Sequence, residues 1–329
     1  MSDDGAALGT RLRARDLSAA PAALNLLESA TAADREQSAA LLREISPKAL
    51  GGEAPGHVIG ITGPPGAGKS TLLSALLHAW RKRDQTVAIL AVDPSSRRSG
   101  GALLGDRARI THPGTGELDA ADRGVLVRST AAGERLGGLA WPTRAAAHAL
   151  AAAFDVVVIE TVGVGQAETE IVDVADTIAV VVQPGGGDAL QFLKSGIMEI
   201  PDVLVVTKAD LGQIATRTRR DLSAALRSLG SRSTPVLTVS SLPPPQGVED
   251  LIAALAEHRA GLDLPRRRLE ARRAGALTSF IAEHGERGLR ALGGRHAAED
   301  LLSEQEAGLD VPTLVATLER RVASSRRPC

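Results

Sequence analysis

The feature that most limits what this chain can become is an octapeptide, Gly63-Pro64-Pro65-Gly66-Ala67-Gly68-Lys69-Ser70. It stands between an apolar run, HVIGIT at 57–62, and a stretch that carries Leu72, Leu73, Leu76, Leu77 and Trp80 on one helical stripe. The spacing is G-x-x-x-x-G-K-[ST], and the flanks are the strand and helix that a phosphate-binding loop requires. Each residue type has a physical reason. Glycines let backbone N–H groups turn inward and cradle phosphate oxygens. A helix that starts at the end of the loop adds partial positive charge. Lys69 is placed to neutralise the terminal phosphates of a nucleotide, Ser70 to ligate Mg2+, and Thr71 belongs to the same nucleotide-contacting turn.

Such a loop needs a sheet behind it, and five more apolar runs supply one. They are TVAILAVD at 86–93, VVVIET at 156–161, TIAVVVQP at 177–184, VLVVTK at 203–208 and PVLTVS at 235–240. All are Val/Ile-rich and apolar on both faces, as buried parallel strands are. Helical stretches between them imply βαβ units. The expected fold class is α/β, a P-loop NTPase with a doubly wound, mostly parallel sheet and helical N- and C-terminal extensions. Residues 7–47 are rich in Ala, Leu and Arg, with Ala23, Leu26, Leu27 and Ala30 at helical spacing. GGEAPG at 51–56 punctuates the chain. After 260 the strand pattern stops, and Arg266, Arg267, Arg268, Arg272 and Arg273 open further helical segments. The expected parts are therefore 1–50, an N-terminal helical extension; 51–260, the nucleotide domain; and 261–329, a C-terminal helical arm.

Composition removes several alternatives. A net charge of −1 over 329 residues gives no general attraction to nucleic acid, and a chain with no Tyr, three Phe and two Trp lacks a base-stacking platform. The one cysteine, Cys329, rules out an internal disulfide and argues against a cysteine metal site, as suits a reducing cytoplasm. No run approaches the roughly 18 apolar residues of a membrane span. The N-terminus, with Asp3 and Asp4 and no apolar core, reads as neither a secretory signal nor a transit peptide. Lysine occurs only at 48, 69, 82, 194 and 208, and three of the five, Lys69, Lys194 and Lys208, fall in motif-bearing segments. A compact ammonium is not interchangeable with a guanidinium in such places.

Mg2+ favours carboxylates and water. Asp93 ends the second run, at the carboxyl edge where ligands bind in such sheets. Glu160 ends the third, followed by Thr161-Val162-Gly163. An acid followed by x-x-Gly is similar to the γ-phosphate sensor of GTPases, with Glu in place of Asp and the Gly163 amide facing the phosphate. Asp106, in GGALLGDR at 100–107, lies on a segment able to close over a metal; a plain surface charge is the competing reading. The metal set is thus Ser70, Asp93, Asp106 and Glu160, and the catalytic set Lys69, Asp106, Glu160 and Gly163. No general base is assigned, because Val164 follows the sensor glycine, Gln166 is displaced, and Arg107 and Arg109 read as a solvated face. Phosphoryl transfer can rest on positioning and charge neutralisation.

Thr207-Lys208-Ala209-Asp210 resembles the guanine motif N-K-x-D, with Thr in the Asn position. The two oxygens of Asp210 can accept from the N1–H and exocyclic amine of guanine, whereas adenine would leave the carboxylate unpaired. Lys208 would lie along the base, and Ser240-Ser241 would offer backbone contacts to O6. The nucleotide expected is GTP rather than ATP.

At larger scale, DPSSRRSGGALLGDRARI at 93–110, ETVGVGQAETEIVDVADT at 160–177 and QPGGGDALQFLKSGIMEIPDVLVVTKAD at 183–210 resemble the MeaB/ArgK family over roughly residues 20–325. That resemblance implies a G-protein chaperone of an adenosylcobalamin-dependent acyl-CoA mutase, chiefly methylmalonyl-CoA mutase, which gates cofactor loading and release. It implies a homodimer joined through residues 261–325 and GTP hydrolysis that quickens with the mutase. It aligns Asp93, Asp106 and Glu160 with the metal and switch acids, and Gly185-Gly186-Gly187-Asp188 to Lys194 with a third, partner-touching switch. The glycines there suit a hinge, though a plain strand-to-helix loop fits them equally. Thr207 and Pro184 depart from the family pattern. Two other functions rank lower. A kinase of the older ArgK type needs an acceptor pocket and a base, for which no constellation is present. A metal-delivery GTPase favours His/Cys clusters, whereas the seven histidines are scattered along the chain.

Overall fold

Runs that are apolar on both faces must be covered on both faces, and the computed structural model shows how. It describes residues 4–29, 31–93, 122–131, 139, 141–161, 170–185, 201–228, 230 and 233–325. The chain divides into two compact units, one of residues 56–143 and 154–262, the other of 1–55, 144–153 and 263–329. The strands are β1 His57–Thr62, β2 Val87–Asp93, β3 Val125–Ala131, β4 Val156–Thr161, β5 Thr177–Val182, β6 Val203–Val206 and β7 Val236–Thr238. The helices are α1 Gly5–Arg13, α2 Ala20–Glu28, α3 Ala32–Glu44, α4 Pro47–Leu50, α5 Lys69–Arg81, α6 Trp141–Ala153, α7 Gln213–Ser228, α8 Val248–Ala260, α9 Leu264–Ala291, α10 Arg295–Ser303 and α11 Val311–Ser325.

The larger unit is built on a sheet of seven parallel strands in the order β3-β2-β4-β1-β5-β6-β7. β1 lies at its centre between β4 and β5, so the chain reverses its direction of travel there. Such a switch point leaves a crevice at the carboxyl ends of the strands. Alternation divides the side chains between two covered faces. Ile59, Ile61, Val87, Ile89, Val156, Val158, Val181 and Val205 join Leu72, Leu73, Leu76, Leu77 and Trp80 of α5 and Leu251 and Leu255 of α8 in one buried cluster. Val157, Ile159, Ile178, Val180 and Leu204, of the opposite parity, are also buried. Each such aliphatic side chain contributes about 1.5–3 kcal/mol by leaving water. The five-residue apolar stripe anticipated for α5 is therefore the stripe that packs.

β3 is the strand that the apolar pattern does not announce. Its sequence, VLVRSTA, carries Arg128, Ser129 and Thr130, and it lies at the edge of the sheet. An edge strand has one neighbour and an incompletely covered face, so it tolerates polar residues that a central strand would not. Its start is tied to α5: Asp122 takes a bidentate pair of bonds, both 2.8 Å, from the Arg81 guanidinium.

The amino edge of the sheet, far from the crevice, is closed by carboxylates. Asp176 accepts from the Val58 amide at 2.9 Å, Asp202 from Ile178 at 2.8 Å, and Asp155 from Thr86 at 2.8 Å. Between them, the Thr177 hydroxyl lies 2.8 Å from His57 Nε2 and 2.9 Å from His258 Nδ1. Two histidines that the sequence scatters thus share one buried hydroxyl.

In the smaller unit, α1 and α3 approach closely enough that a Cβ on Gly9 would come within 2.7 Å of the Leu41 carbonyl. The helices start on caps of the expected chemistry: Asp4 for α1, Thr31 for α3, Ser46 for α4 and Asp263 for α9 each accept a backbone N–H. α9 kinks at Gly285, whose φ is 61°. Phe280, Leu277, Leu302, Leu314 and Leu318 form the core between α9, α10 and α11. Buried Arg272 holds Glu53 through two bonds of 2.9 and 2.8 Å, and Arg268 donates to the Ala54 carbonyl at 2.6 Å.

Candidate functional site

The phosphate loop leaves β1 at Thr62 and turns on glycines whose φ values are 142° at Gly63, 77° at Gly66 and 88° at Gly68. Gly63 has a second constraint, since a Cβ there would fall 2.0 Å from the Val181 carbonyl of β5. Gly68 is the left-handed N-cap of α5, so the first amides of that helix face the loop. Lys69 is the first residue of the helix. Its ammonium folds over the loop and donates to the Gly63 carbonyl at 2.6 Å and to Pro64 at 3.2 Å. It is buried, 7 % exposed, at the place where negative charge would enter.

Ser70 follows on the same turn, and its hydroxyl donates to Glu160 Oε1 at 3.0 Å. β1 and β4 are adjacent, with Ile61 in register with Glu160, and this pairing carries the acid to the helix start. Glu160 is itself only 6 % exposed. A buried carboxylate beside a hydroxyl is an oxygen-only donor pair, the chemistry that Mg2+ selects and softer metals do not. Next to it, the Thr161 hydroxyl donates to Thr62 Oγ1 at 2.9 Å, joining the strands that bear the two motifs. Asp93 ends β2, two positions past the Ala91 that pairs with Glu160; its side chain lies outside the described residues. Asp106, Arg107, Arg109, Gly163, Val164, Gln166, and Gly186 to Lys194 also lie outside them. Gly185 is described and has φ 82°.

The base motif follows β6. Thr207, in the Asn position, is 3 % exposed, and its hydroxyl reaches two carbonyls: Ala67 of the phosphate loop at 2.6 Å and Val182 of β5 at 3.1 Å. A hydroxyl has one hydrogen, so the shorter contact is its donated bond. Lys208 adopts left-handed backbone angles, φ 52° and ψ 45°, and its ammonium donates to the Gly66 carbonyl at 3.3 Å and to Gln183 Oε1 at 2.8 Å. Gln183 was not among the anticipated site residues; its signals are its position at the end of an apolar run, just before Pro184, and its place at the head of the 183–210 block. Asp210 is exposed, with Oδ1 held by the Ser240 hydroxyl at 2.9 Å. Ser240 thus works through its side chain. Its amide is already donated to Gln246 at 3.0 Å, which leaves Ser241, partly buried, as the other member of the anticipated pair.

Gly63 to Ser70, with Thr71 exposed after them, therefore lie in one unit with Glu160, Thr207, Lys208, Asp210 and Ser240, all at the carboxyl ends of strands. A gripped glycine loop at a helix start, an ammonium, a hydroxyl–carboxylate pair and an exposed, oriented carboxylate can hold a polyphosphate at one end and a hydrogen-bonding base at the other. Among the described residues, no helix is long and apolar enough to cross a membrane.

Several known proteins are similar to this chain. A family model described as methylmalonyl-CoA mutase-associated GTPase MeaB matches residues 5–286. A putative GTPase of Pyrococcus abyssi is 42 % identical over 270 residues, covering 80 % of this chain and 78 % of the relative. A methylmalonic aciduria type A homolog, mitochondrial, of Mus musculus is 39 % identical over 181 residues, 53 % of this chain and 41 % of that protein. A crystal structure of a LAO/AO transport system kinase superposes with a TM-score of 0.65 at 25 % identity, covering 98 % of this chain and 99 % of that one.

Proposed function

Because the chain belongs to the MeaB family of methylmalonyl-CoA mutase-associated GTPases, we propose that its GTPase cycle is a chaperone switch for an adenosylcobalamin-dependent acyl-CoA mutase, methylmalonyl-CoA mutase first among them. In this reading it gates loading of the cofactor and protects the loaded enzyme, as a homodimer in the cytoplasm. The observation that carries the nucleotide part is the interlock of the two motifs. The phosphate loop is gripped by the residues of the base motif, which supports a single ligand that reaches both ends.

Lys69 exchanges the Gly63 and Pro64 carbonyls, which it holds at 2.6 and 3.2 Å, for phosphate oxygens. Ser70 and Glu160, already 3.0 Å apart, would hold Mg2+ together with Asp93 and Asp106. Bound there, the ion would neutralise charge on the β- and γ-phosphates. Gly163 is assigned as the γ-phosphate sensor. Asp210, with one oxygen fixed by Ser240, takes the edge of guanine, and the Ser241 amide is assigned to O6. Loss of the γ-phosphate then releases the 94–110 and 160–170 segments and the segment from Gly185 to Lys194, and the mutase reads the difference.

The test is Lys69→Ala, which removes the ammonium and leaves the loop glycines in place. Phosphate release from GTP should fall by about 100-fold or more, and nucleotide-dependent cofactor transfer to the mutase should cease. Transfer that survives in this variant breaks the link between hydrolysis and gating. Calorimetry with Mg2+ that finds no heat for GTP or GDP, or equal affinity for ATP, sinks the guanine reading. The solved neighbour of like fold is called a kinase, which keeps a kinase reading in view. Phosphate release from GTP with no added acceptor decides against it.

A further inference from the structure

Resting on the guanine-nucleotide reading of this site, we infer that Gln183 is a positioning residue: it holds the Lys208 side chain where the face of the base docks. Lys208 is one of three non-glycine residues with positive φ among those described, and its left-handed turn is disfavoured for any side chain with a Cβ. Bonds on both sides impose it. The Thr207 amide donates to Val182 at 3.0 Å, and the Ala209 amide donates to Val239 at 3.1 Å. A strained backbone held by its neighbours is a common mark of a working site.

This turn sends the lysine stem back toward the phosphate loop, and two acceptors hold its end. The Gly66 carbonyl is the longer contact at 3.3 Å, and Gln183 Oε1 the shorter at 2.8 Å. An ammonium only donates, so the Gln183 amide must present its oxygen here. Gln183 can reach because it directly follows Val182, which is in register with Val206 of β6. It therefore stands beside Thr207 and one step from Lys208. With its Cα set by the turn and its Nζ set by Gln183 and Gly66, the four-carbon stem is held at both ends. Lysine loses much rotamer freedom when it is ordered. Ordering it before the nucleotide arrives removes that cost from the binding step.

The role predicts a specific pattern. The stem would meet the face of the base, whereas Asp210 meets its edge. Loss of the Gln183 acceptor should therefore weaken all purine nucleotides that the site accepts by one common factor, without touching chemistry at phosphate. The experiment compares the full-length wild-type protein with Gln183→Met, which keeps length and volume but removes the acceptor, and Gln183→Glu, which keeps an acceptor. GTP and ITP are both measured with Mg2+ present. For Gln183→Met, KM and Kd for GTP should rise about five- to tenfold while kcat stays within about twofold. ITP should weaken by the same factor, leaving the GTP/ITP ratio unchanged, whereas Asp210→Asn changes that ratio. Gln183→Glu should remain within about twofold of wild type. The inference is overturned if Gln183→Met leaves Kd unchanged, lowers kcat instead, or alters the GTP/ITP ratio, or if Gln183→Glu loses as much as Gln183→Met. Wild-type protein that binds ATP as well as GTP removes the guanine reading itself, and this inference with it. Wild-type protein that selects GTP, with Gln183→Met indistinguishable from it, removes this inference alone.

Discussion

At the scale of single residues, Thr207 shows how a substitution in a motif can keep its mechanical role. Asparagine would bring an amide with two hydrogens, whereas threonine brings one hydroxyl hydrogen, donated to the Ala67 carbonyl with Oγ1 2.6 Å from that oxygen. Its side chain also lies about van der Waals distance from the Cβ position of Gly68, with Oγ1 at 3.8 Å. Thr207→Val keeps that shape and deletes the bond, leaving the buried Ala67 carbonyl short of a partner. We expect a loss of about 1–3 kcal/mol, seen as weaker GDP binding in calorimetry and a lower melting temperature. Thr207→Asn should restore both, and a Val variant that binds GDP as wild type would show that the brace is idle. Their places beside the loop and at a strand end marked Ser70 and Glu160 as candidates for one metal, and the two side chains lie 3.0 Å apart. The motif spacing could not tell that Ser240 orients Asp210 through its hydroxyl, because a strand-end serine looks the same in sequence whichever of its groups is used.

At the scale of elements, the readable parts were those with a strong period. The central strands and α5 stood out because burial on all sides admits only apolar residues, and 3.6- or 2-residue periods survive there. β3 was not readable, since VLVRSTA at an edge has no such restriction. The long helix α9 was visible as a helical region, but the kink at Gly285 was not, because a lone glycine in a helix is compatible with a straight path. Phe280 lies before that kink, fully buried against α10 and α11, with its ring 4.6 Å from that of His284. Phe280→Ala should open a cavity and cost about 3–5 kcal/mol. Thermal melting followed by circular dichroism checks this, and a shift of no more than a degree or two would show that the three-helix core does not depend on it.

At the scale of the whole molecule, the two ends of the chain, far apart in sequence, belong to one compact unit. Glu53 and Arg272 lie 219 residues apart and form a bidentate pair whose side chains are 9 % and 7 % exposed. Arg272→Met strands a buried carboxylate, and the expected cost is about 3–5 kcal/mol in urea denaturation. The double variant with Glu53→Met should recover most of it, because a buried pair replaced as a pair by apolar residues of similar volume is nearly neutral. Equal losses in the single and double variants would mean that the pair itself, not the stranded charge, sets the stability.

What the chain announces on its own is local. Loop glycines, a lysine and a serine at fixed spacing, acids at strand ends and apolar periods all act within a few residues of one another, so the phosphate loop, the parallel sheet and the order of motifs can be read directly. What waited for the folded molecule is non-local. The Thr207 brace spans 140 residues to Ala67, and the Gln183 hold on Lys208 spans 25. No spacing rule connects such partners, because they meet only through strand register and the closure of distant segments around one core.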